Sequence, residues 1–209
     1  MAFQYQRFSF IILRGSKLKT DLRDKVVLGI VGMPGAGKAT VASFICKAGC
    51  DVVVMGDEVR AEAERRNLEP TPENIGRVML QIRAEEGPGV LAKRCIPKIL
   101  ASKSRLVVID GIRSPAEAEV FKRRFPNFKL LAVHSSPRTR FNRLLKRGRS
   151  DDPKDWETFI QRDRRELSVG IGEVIATADY MIVNEGTKSQ LRRNVHEVLR
   201  RIMEDLAHG

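Results

Sequence analysis

The chain has 209 residues, enough for one domain with a core that stands without staples. Hydrophobic residues make up 42% and charged residues 31%, which excludes a disordered chain, and the longest apolar runs, such as Val26–Val31, fall far short of the ~20 residues a membrane helix needs. Lys and Arg number 38 against 26 Asp and Glu, and the resulting net charge of +12 points to an anionic partner, either phosphate groups or nucleic acid.

Residues 1–25 show no clear apolar period and hold six basic residues against two acidic ones. They read as an N-terminal extension, with an ordered extra element, a disordered basic tail and a mis-called start codon all open. Their apolar block Phe8–Leu13 is too short for a secretory signal, and a transit peptide is a weaker option. From Val26 onward, apolar β-branched runs alternate with helical patterns. The runs are Val26–Val31, Val52–Met55, Leu106–Ile109, Lys129–Val133 and Tyr180–Val183. Continuous apolar strands separated by helices predict an α/β fold, a five-stranded parallel sheet covered by helices on both faces.

The helix starts are well marked. Thr71-Pro72, Ser114-Pro115 and Ser136-Pro137 each set a capping hydroxyl before a proline at the first helical position, and Thr187 with Gln190 reads as a capping box. Gly87-Pro88-Gly89 and residues 148–153 read as exposed loops. Cys46, Cys50 and Cys95 form no CxxC pair, and the three histidines stand far from them. They read as buried thiols rather than a disulfide framework or a zinc site, which suits a cytoplasmic protein.

The most specific signal is Gly32-Met33-Pro34-Gly35-Ala36-Gly37-Lys38-Ala39-Thr40, directly after the strand Val26–Val31 and before the helical run Val41–Lys47. Glycines let the backbone turn its N–H groups around an anion, and the helix N-terminus adds its positive end. These nine residues read as a phosphate-binding loop (P-loop) for a nucleotide, with Lys38 reaching the β- and γ-phosphates. Ala39 stands where a Ser or Thr hydroxyl usually holds Mg²⁺, and Thr40 comes one position later.

The loop resembles that of adenylate kinases and related nucleoside monophosphate kinases, which run GxPGxGKGT and lack the same hydroxyl. Met55-Gly56-Asp57-Glu58-Val59-Arg60 is similar to their TGDxxR segment. That likeness implies that Arg60 clamps the acceptor phosphate and that Asp57 lies near the reacting phosphates. Val108-Ile109-Asp110-Gly111-Ile112-Arg113 is similar to their hydrophobic-DGxPR stretch, although the proline is missing and the arginine comes one position earlier. It implies Arg113 as a second hand on the acceptor and Asp110 as a carboxylate ordering the waters of Mg²⁺. Arg147-Gly148-Arg149-Ser150-Asp151-Asp152, followed by Arg162 and Arg165, resembles the short lid of the smaller monophosphate kinases, with Arg149 in the loop as the candidate catalytic arginine. Asn184-Glu185-Gly186-Thr187 resembles the loop that touches adenine in this group and in dephospho-CoA kinases.

Across Val26 to about Leu199 the pattern resembles adenylate-kinase-related P-loop proteins known from archaea. The resemblance implies a three-layer P-loop nucleoside triphosphate hydrolase/kinase fold over residues 26–209, with an acceptor-binding region at about 57–104 and a short lid at about 146–153. It also implies ATP and Mg²⁺ as cofactors, and a nucleotide or nucleotide-like small molecule as phosphate acceptor. Asp57 carries a fork. With an alcohol acceptor a carboxylate there serves as general base. With a monophosphate acceptor, already anionic near pH 7, it only orders magnesium and water. Asp57 also reads as the N-cap of a helix Glu58–Asn67.

Two other functions compete with a kinase. Val120–Ser150 holds ten basic residues and no acidic one, a pattern that also suits an ATPase acting on RNA or a ribonucleoprotein. A nucleotide sensor, with Ala39 marking lost magnesium binding, is the third.

Overall fold

The computed structural model describes residues 25–208. Five strands, β1 (Val26–Val31), β2 (Asp51–Val54), β3 (Leu106–Ile112), β4 (Phe128–His134) and β5 (Tyr180–Val183), form one sheet in the order β2-β3-β1-β4-β5, with every neighbouring pair parallel. The helices are α1 (Lys38–Ile45), α2 (Met55–Arg65), α3 (Pro72–Glu86), α4 (Val90–Ala101), α5 (Pro115–Arg124), α6 (Pro137–Arg147), α7 (Trp156–Ser168), α8 (Ile171–Ala176) and α9 (Lys188–His208).

All six residues of β1 are buried, because the sheet is covered on both sides. Val27 and Val31 face one core with side chains of α2, α3, α4 and α8, such as Val59, Met79, Cys95 and Ile171. Leu28 and Ile30 face the other, with Val41 and Ile45 of α1 and Val195 and Val198 of α9. Three layers result, as the sequence predicts. The central place of β1, between β3 and β4, sets the phosphate loop at its end beside the ends of both neighbours.

Several local expectations need correction. Met55 opens α2 instead of closing β2, and its side chain is buried in the core. Helix α2 therefore spans Met55–Arg65 rather than Glu58–Asn67. Asp57 lies inside its first turn and is no N-cap, and Asn67 turns into the left-handed region at φ 53°. Thr71 and Ser114 cap α3 and α5 through their hydroxyls, Ser114 in a full capping box with Glu117. Ser136 does not cap α6 with its side chain. Glu185 instead reaches over from the β5–α9 loop and accepts from the Ser136 N–H and the Thr139 hydroxyl. Of the box at α9, the Gln190 N–H donates to Thr187 Oγ1 at 3.2 Å.

Cys46 and Cys50 are joined in a disulfide, against their reading as thiols. Helix α1 stops at Ile45, a 3₁₀ turn over Cys46–Ala48 follows, and Gly49 at φ 93° reverses the chain, which brings the two Cα atoms to 4.8 Å. Cys95 is a free thiol buried in the core. Apart from Lys25, the expected extension 1–25 lies outside the described residues. Lys25 itself is buried, and its Nζ donates to the carbonyls of Ile99, Ser102 and Ser104, so it belongs to the fold.

Candidate active site

The phosphate loop is shaped from behind. Its Ala36 carbonyl accepts from Asn184 Nδ2 at 2.8 Å and from Arg143 Nη1 and Ser135 Oγ at 3.3 Å each. Its Pro34 carbonyl accepts from Arg140 Nη1 at 3.2 Å. In a trans peptide the C=O and the following N–H point opposite ways. Drawing these two carbonyls back toward α6 and β5 therefore turns the N–H groups of Gly35 and Gly37 the other way. Both glycines sit at positive φ, +81° and +102°. A Cβ on Gly35 would lie 2.6 Å from the Arg140 carbonyl oxygen, and one on Gly37 would lie 2.4 Å from Asn184 Nδ2. The first turn of α1 follows directly and leaves further N–H groups without intrahelical partners, an arrangement suited to anions.

Lys38 opens α1, and its Nζ donates to the carbonyls of Gly32 at 2.7 Å and Met33 at 3.4 Å. Burial pulls its pKa down to about 8, opposed by the nearby Asp110 carboxylate.

Register delivers Asp110 to the loop. Val54, Asp110 and Ile30 share one row across β2, β3 and β1. Beyond that row Val31 pairs with Ile112, so Gly111, at φ 101°, is an extra residue in β3. Asp110 Oδ1 is buried with no hydrogen-bond partner among the described residues. No group of three or more His, Cys, Asp or Glu is gathered as a metal cage among those residues. A lone carboxylate beside a phosphate loop fits Mg²⁺, which keeps its waters and takes its remaining ligands from phosphates.

A cleft of about 100 Å³ opens over the loop, lined by Gly32, Pro34, Gly35 and Lys38 with Asp110, Arg113 and Arg149. A second, smaller chamber of about 50 Å³ continues from it between α2, α3 and α7, with Val59, Ile75 and Met79 as its apolar surface. Gly56, Arg60, Arg113, Asp151, Arg162 and Glu166 line both. The structure thus brings Lys38, Arg60, Asp110, Arg113 and Arg149 to one cleft. Asp57 is not brought there: its side chain is 59% exposed, pairs with Arg60 at 2.6 Å, and faces outer grooves beside Lys98 and Glu64. Met33, Ala36, Gly37, Ala39 and Thr40 complete the loop without lining the cleft.

Each arginine of the far wall has a partner. Arg113 Nη1 lies 3.1 Å from Glu166 Oε1, and its backbone N–H donates to the buried Glu117 at 2.8 Å. Arg162 pairs with Asp151 and Asp152. Arg165 crosses α3 where Gly76 leaves room, and donates to the Pro72 carbonyl at 3.0 Å. The loop after α6 is anchored on Asp152, which accepts from the Arg147 guanidinium and from the Arg149 N–H. Burial acts to raise the Asp152 pKa, but these donors win and hold it below the usual carboxylate range.

The basic run Val120–Ser150 has a different character from the one its composition suggests. Arg140 is buried and holds Asp163 with both arms of its fork, at 2.8 and 2.6 Å. Arg143 donates to the carbonyls of Ala36 and Asn184, and Arg147 holds Asp152. Arg140 and Arg143 are therefore internal struts rather than parts of an open polyanion surface, and Arg147, 36% exposed, ties down the loop at the mouth of the cleft. Sequence reasoning misses Asp163 and Glu166. Both lie in Arg162-Asp163-Arg164-Arg165-Glu166, of which the resemblance picks out only Arg162 and Arg165, and no spacing separates the inward residues from the outward ones.

The comparisons agree with this geometry. The AAA_17 family model, described as an AAA domain, matches residues 31–160. The UPF0200 protein of Pyrococcus abyssi is 48% identical over 182 residues, covering 85% of this chain and 97% of that protein. That of Methanothermobacter thermautotrophicus is 45% identical over 179 residues, covering 86% and 92%. Among solved structures, a shikimate kinase from Acinetobacter baumannii in complex with shikimate superposes with a TM-score of 0.56 at 18% identity, covering 90% of this chain and 98% of that one. A gluconokinase from Sinorhizobium meliloti gives 0.56 at 16%, covering 89% and 98%. At these identities the likeness to the kinases is one of fold. No helix among the described residues is long and apolar enough to cross a membrane. With a family model over most of its length and relatives near half identity along nearly all of theirs, the chain belongs to the UPF0200 family of AAA-domain P-loop proteins.

Proposed function

We propose that this protein is an ATP- and Mg²⁺-dependent kinase that transfers the γ-phosphoryl group to a nucleotide or nucleotide-like small molecule. The observation that carries the reading is the continuity of two chambers: a phosphate-loop cleft opening into a partly apolar pocket, with five charged side chains, Arg60, Arg113, Asp151, Arg162 and Glu166, shared by both. A hydrolase acting on a polymer has no need of such a pocket. The kinase-type fold of the neighbours and their small-molecule names point the same way.

In this reading the N–H groups of Gly35 and Gly37 and the first turn of α1 hold the phosphate chain. Lys38 exchanges the carbonyls of Gly32 and Met33 for phosphate oxygens and carries positive charge to the migrating group. Asp110 would hold Mg²⁺ through its waters, and the ion would supply positive charge beside the phosphates. Arg60 and Arg113 orient the acceptor, and Arg149 on the lid meets the transferring group from above. Positioning and fixed positive charge are most of what phosphoryl transfer asks of a protein.

The test is transfer of label from γ-labelled ATP with Mg²⁺ to nucleoside monophosphates and to dephospho-CoA, with Lys38→Ala as control. A labelled product that falls at least about 10²-fold in the variant is expected. Hydrolysis alone, with every acceptor ignored, overturns it.

A further inference from the structure

We infer that Glu166 is a catalytic residue of this site, the group that accepts a proton from a hydroxyl-bearing acceptor. The inference rests on the kinase reading above and deepens it by naming the reacting group of the acceptor: an alcohol, not a phosphate.

Glu166 sits in the third turn of α7 with its side chain only 5% exposed. It lines both the phosphate-loop cleft and the acceptor chamber, and so stands at their junction. Its two oxygens differ. Oε1 is held by Arg113 at 3.1 Å, whereas Oε2 is buried and has no hydrogen-bond partner among the described residues. A buried carboxylate oxygen without a donor is costly unless a ligand supplies one. Ionised, that oxygen can only accept. The group it suits must bring a proton, and an acceptor hydroxyl does so. A dianionic phosphate at the same place brings none, and would set a second negative charge against the carboxylate.

Two neighbours support the assignment. Arg113 is already matched by Glu166, so it acts on the acceptor by orienting that carboxylate rather than as an open cation for an acceptor phosphate. Asp57, the carboxylate that the sequence suggests for proton abstraction, is exposed and turned to the outer grooves. Glu166 is the carboxylate that faces both chambers from α7, and Asp151 is the other lining both, already paired with Arg162 at 3.6 Å. In the step itself, the acceptor oxygen bonds to the γ-phosphorus as its proton passes to Glu166 Oε2. The bond from that phosphorus to the β,γ-bridging oxygen breaks, ADP departs with that electron pair, and Glu166 then returns the proton to water.

The experiment uses the full chain with γ-labelled ATP and Mg²⁺. The alcohols dephospho-CoA, shikimate and gluconate are set against AMP, GMP, CMP and UMP, with water as the acceptor of last resort. Label passing to an alcohol and not to a monophosphate is expected. Glu166→Gln, which keeps an oxygen for Arg113, should lower kcat about 10²-fold with the ATP Kd unchanged. Glu166→Asp should recover part of the loss. A nucleoside monophosphate as preferred acceptor overturns the inference and leaves the kinase reading standing, and so does a Gln variant within about threefold of the parent rate. Hydrolysis with every acceptor ignored, or ATP binding with neither transfer nor hydrolysis, overturns both. Should the Gln variant fail to fold, the acceptor preference of the unaltered chain decides alone.

Discussion

The two walls of the cleft are built on different principles. The phosphate-loop wall is backbone, fixed by φ angles that glycine permits and by carbonyls tied to Arg140, Arg143 and Asn184 behind it. The opposite wall is made of side chains on α2, on α7 and in the segments after β3 and α6, whose charges are matched to one another, as Arg60 to Asp57, Arg113 to Glu166, and Arg162 to Asp151 and Asp152. A backbone cradle is set before any ligand arrives and costs no reorganisation when it does. Ion-paired side chains must trade carboxylates for ligand groups, so that wall is the one able to change its specificity without disturbing the fold.

The sharpest test of this division compares one strut with one clamp. Asp163→Ala would leave the Arg140 guanidinium buried without its counter-ion, and should cost about 3–5 kcal/mol in urea unfolding. Arg60→Ala removes half of a pair exposed by 42% and 59%, and should change stability by less than about 1 kcal/mol while weakening acceptor use. Equal costs for the two would erase the distinction between the walls.

Next in size is Gly35→Ala. The added Cβ meets the Arg140 backbone at 2.6 Å from a residue at φ +81°, and neither party can swing aside. A loss of about 1–3 kcal/mol is expected, together with loss of ATP binding by calorimetry.

Lys38 links the loop to pH. Its free pKa is about 8, and bound phosphates favour the charged form and raise it. Affinity for ATP is therefore full below about pH 8 and falls as pH rises through and beyond that value, by up to about tenfold per unit. Calorimetry at pH 8.5 in two buffers of different ionisation enthalpy should show proton uptake on binding. An affinity flat from pH 7.5 to 9.5 would detach Lys38 from the phosphates.

The contrast between the walls also explains what was legible in the sequence. A backbone cradle needs glycines at set positions after a strand and before a helix, so Gly32–Thr40 announces itself. The parallel order follows from apolar runs buried on both faces. The far wall depends on which face of α7 turns inward, and in Arg162–Glu166 five charged residues in succession erase the apolar stripe that would say so. Asp163 and Glu166 are buried and Arg164 is exposed, a difference made by packing against Arg140 and Arg113, which are distant in the chain. The Cys46–Cys50 bond was hidden for a related reason. Spacing of four reads as one helix face until the helix stops at Ile45.

Gly76→Ala carries the smallest effect on stability and the finest discrimination. The new Cβ would fall 1.6 Å from Arg165 Nη1, closer than any contact at Gly35, yet the obstacle is the far end of a flexible side chain. Gly76 lies inside α3, where alanine is favoured over glycine by up to about 1 kcal/mol. Stability should therefore hold or rise slightly in thermal unfolding, whereas Arg165 must leave its place against α3 and its bond to Pro72. The KM for the acceptor found in the transfer assay should increase while the Kd for ATP stays fixed. The same glycine-to-alanine change would then disable the backbone wall and merely retune the side-chain wall, because in one case the atom in the way is a carbonyl that cannot move and in the other a guanidinium that can.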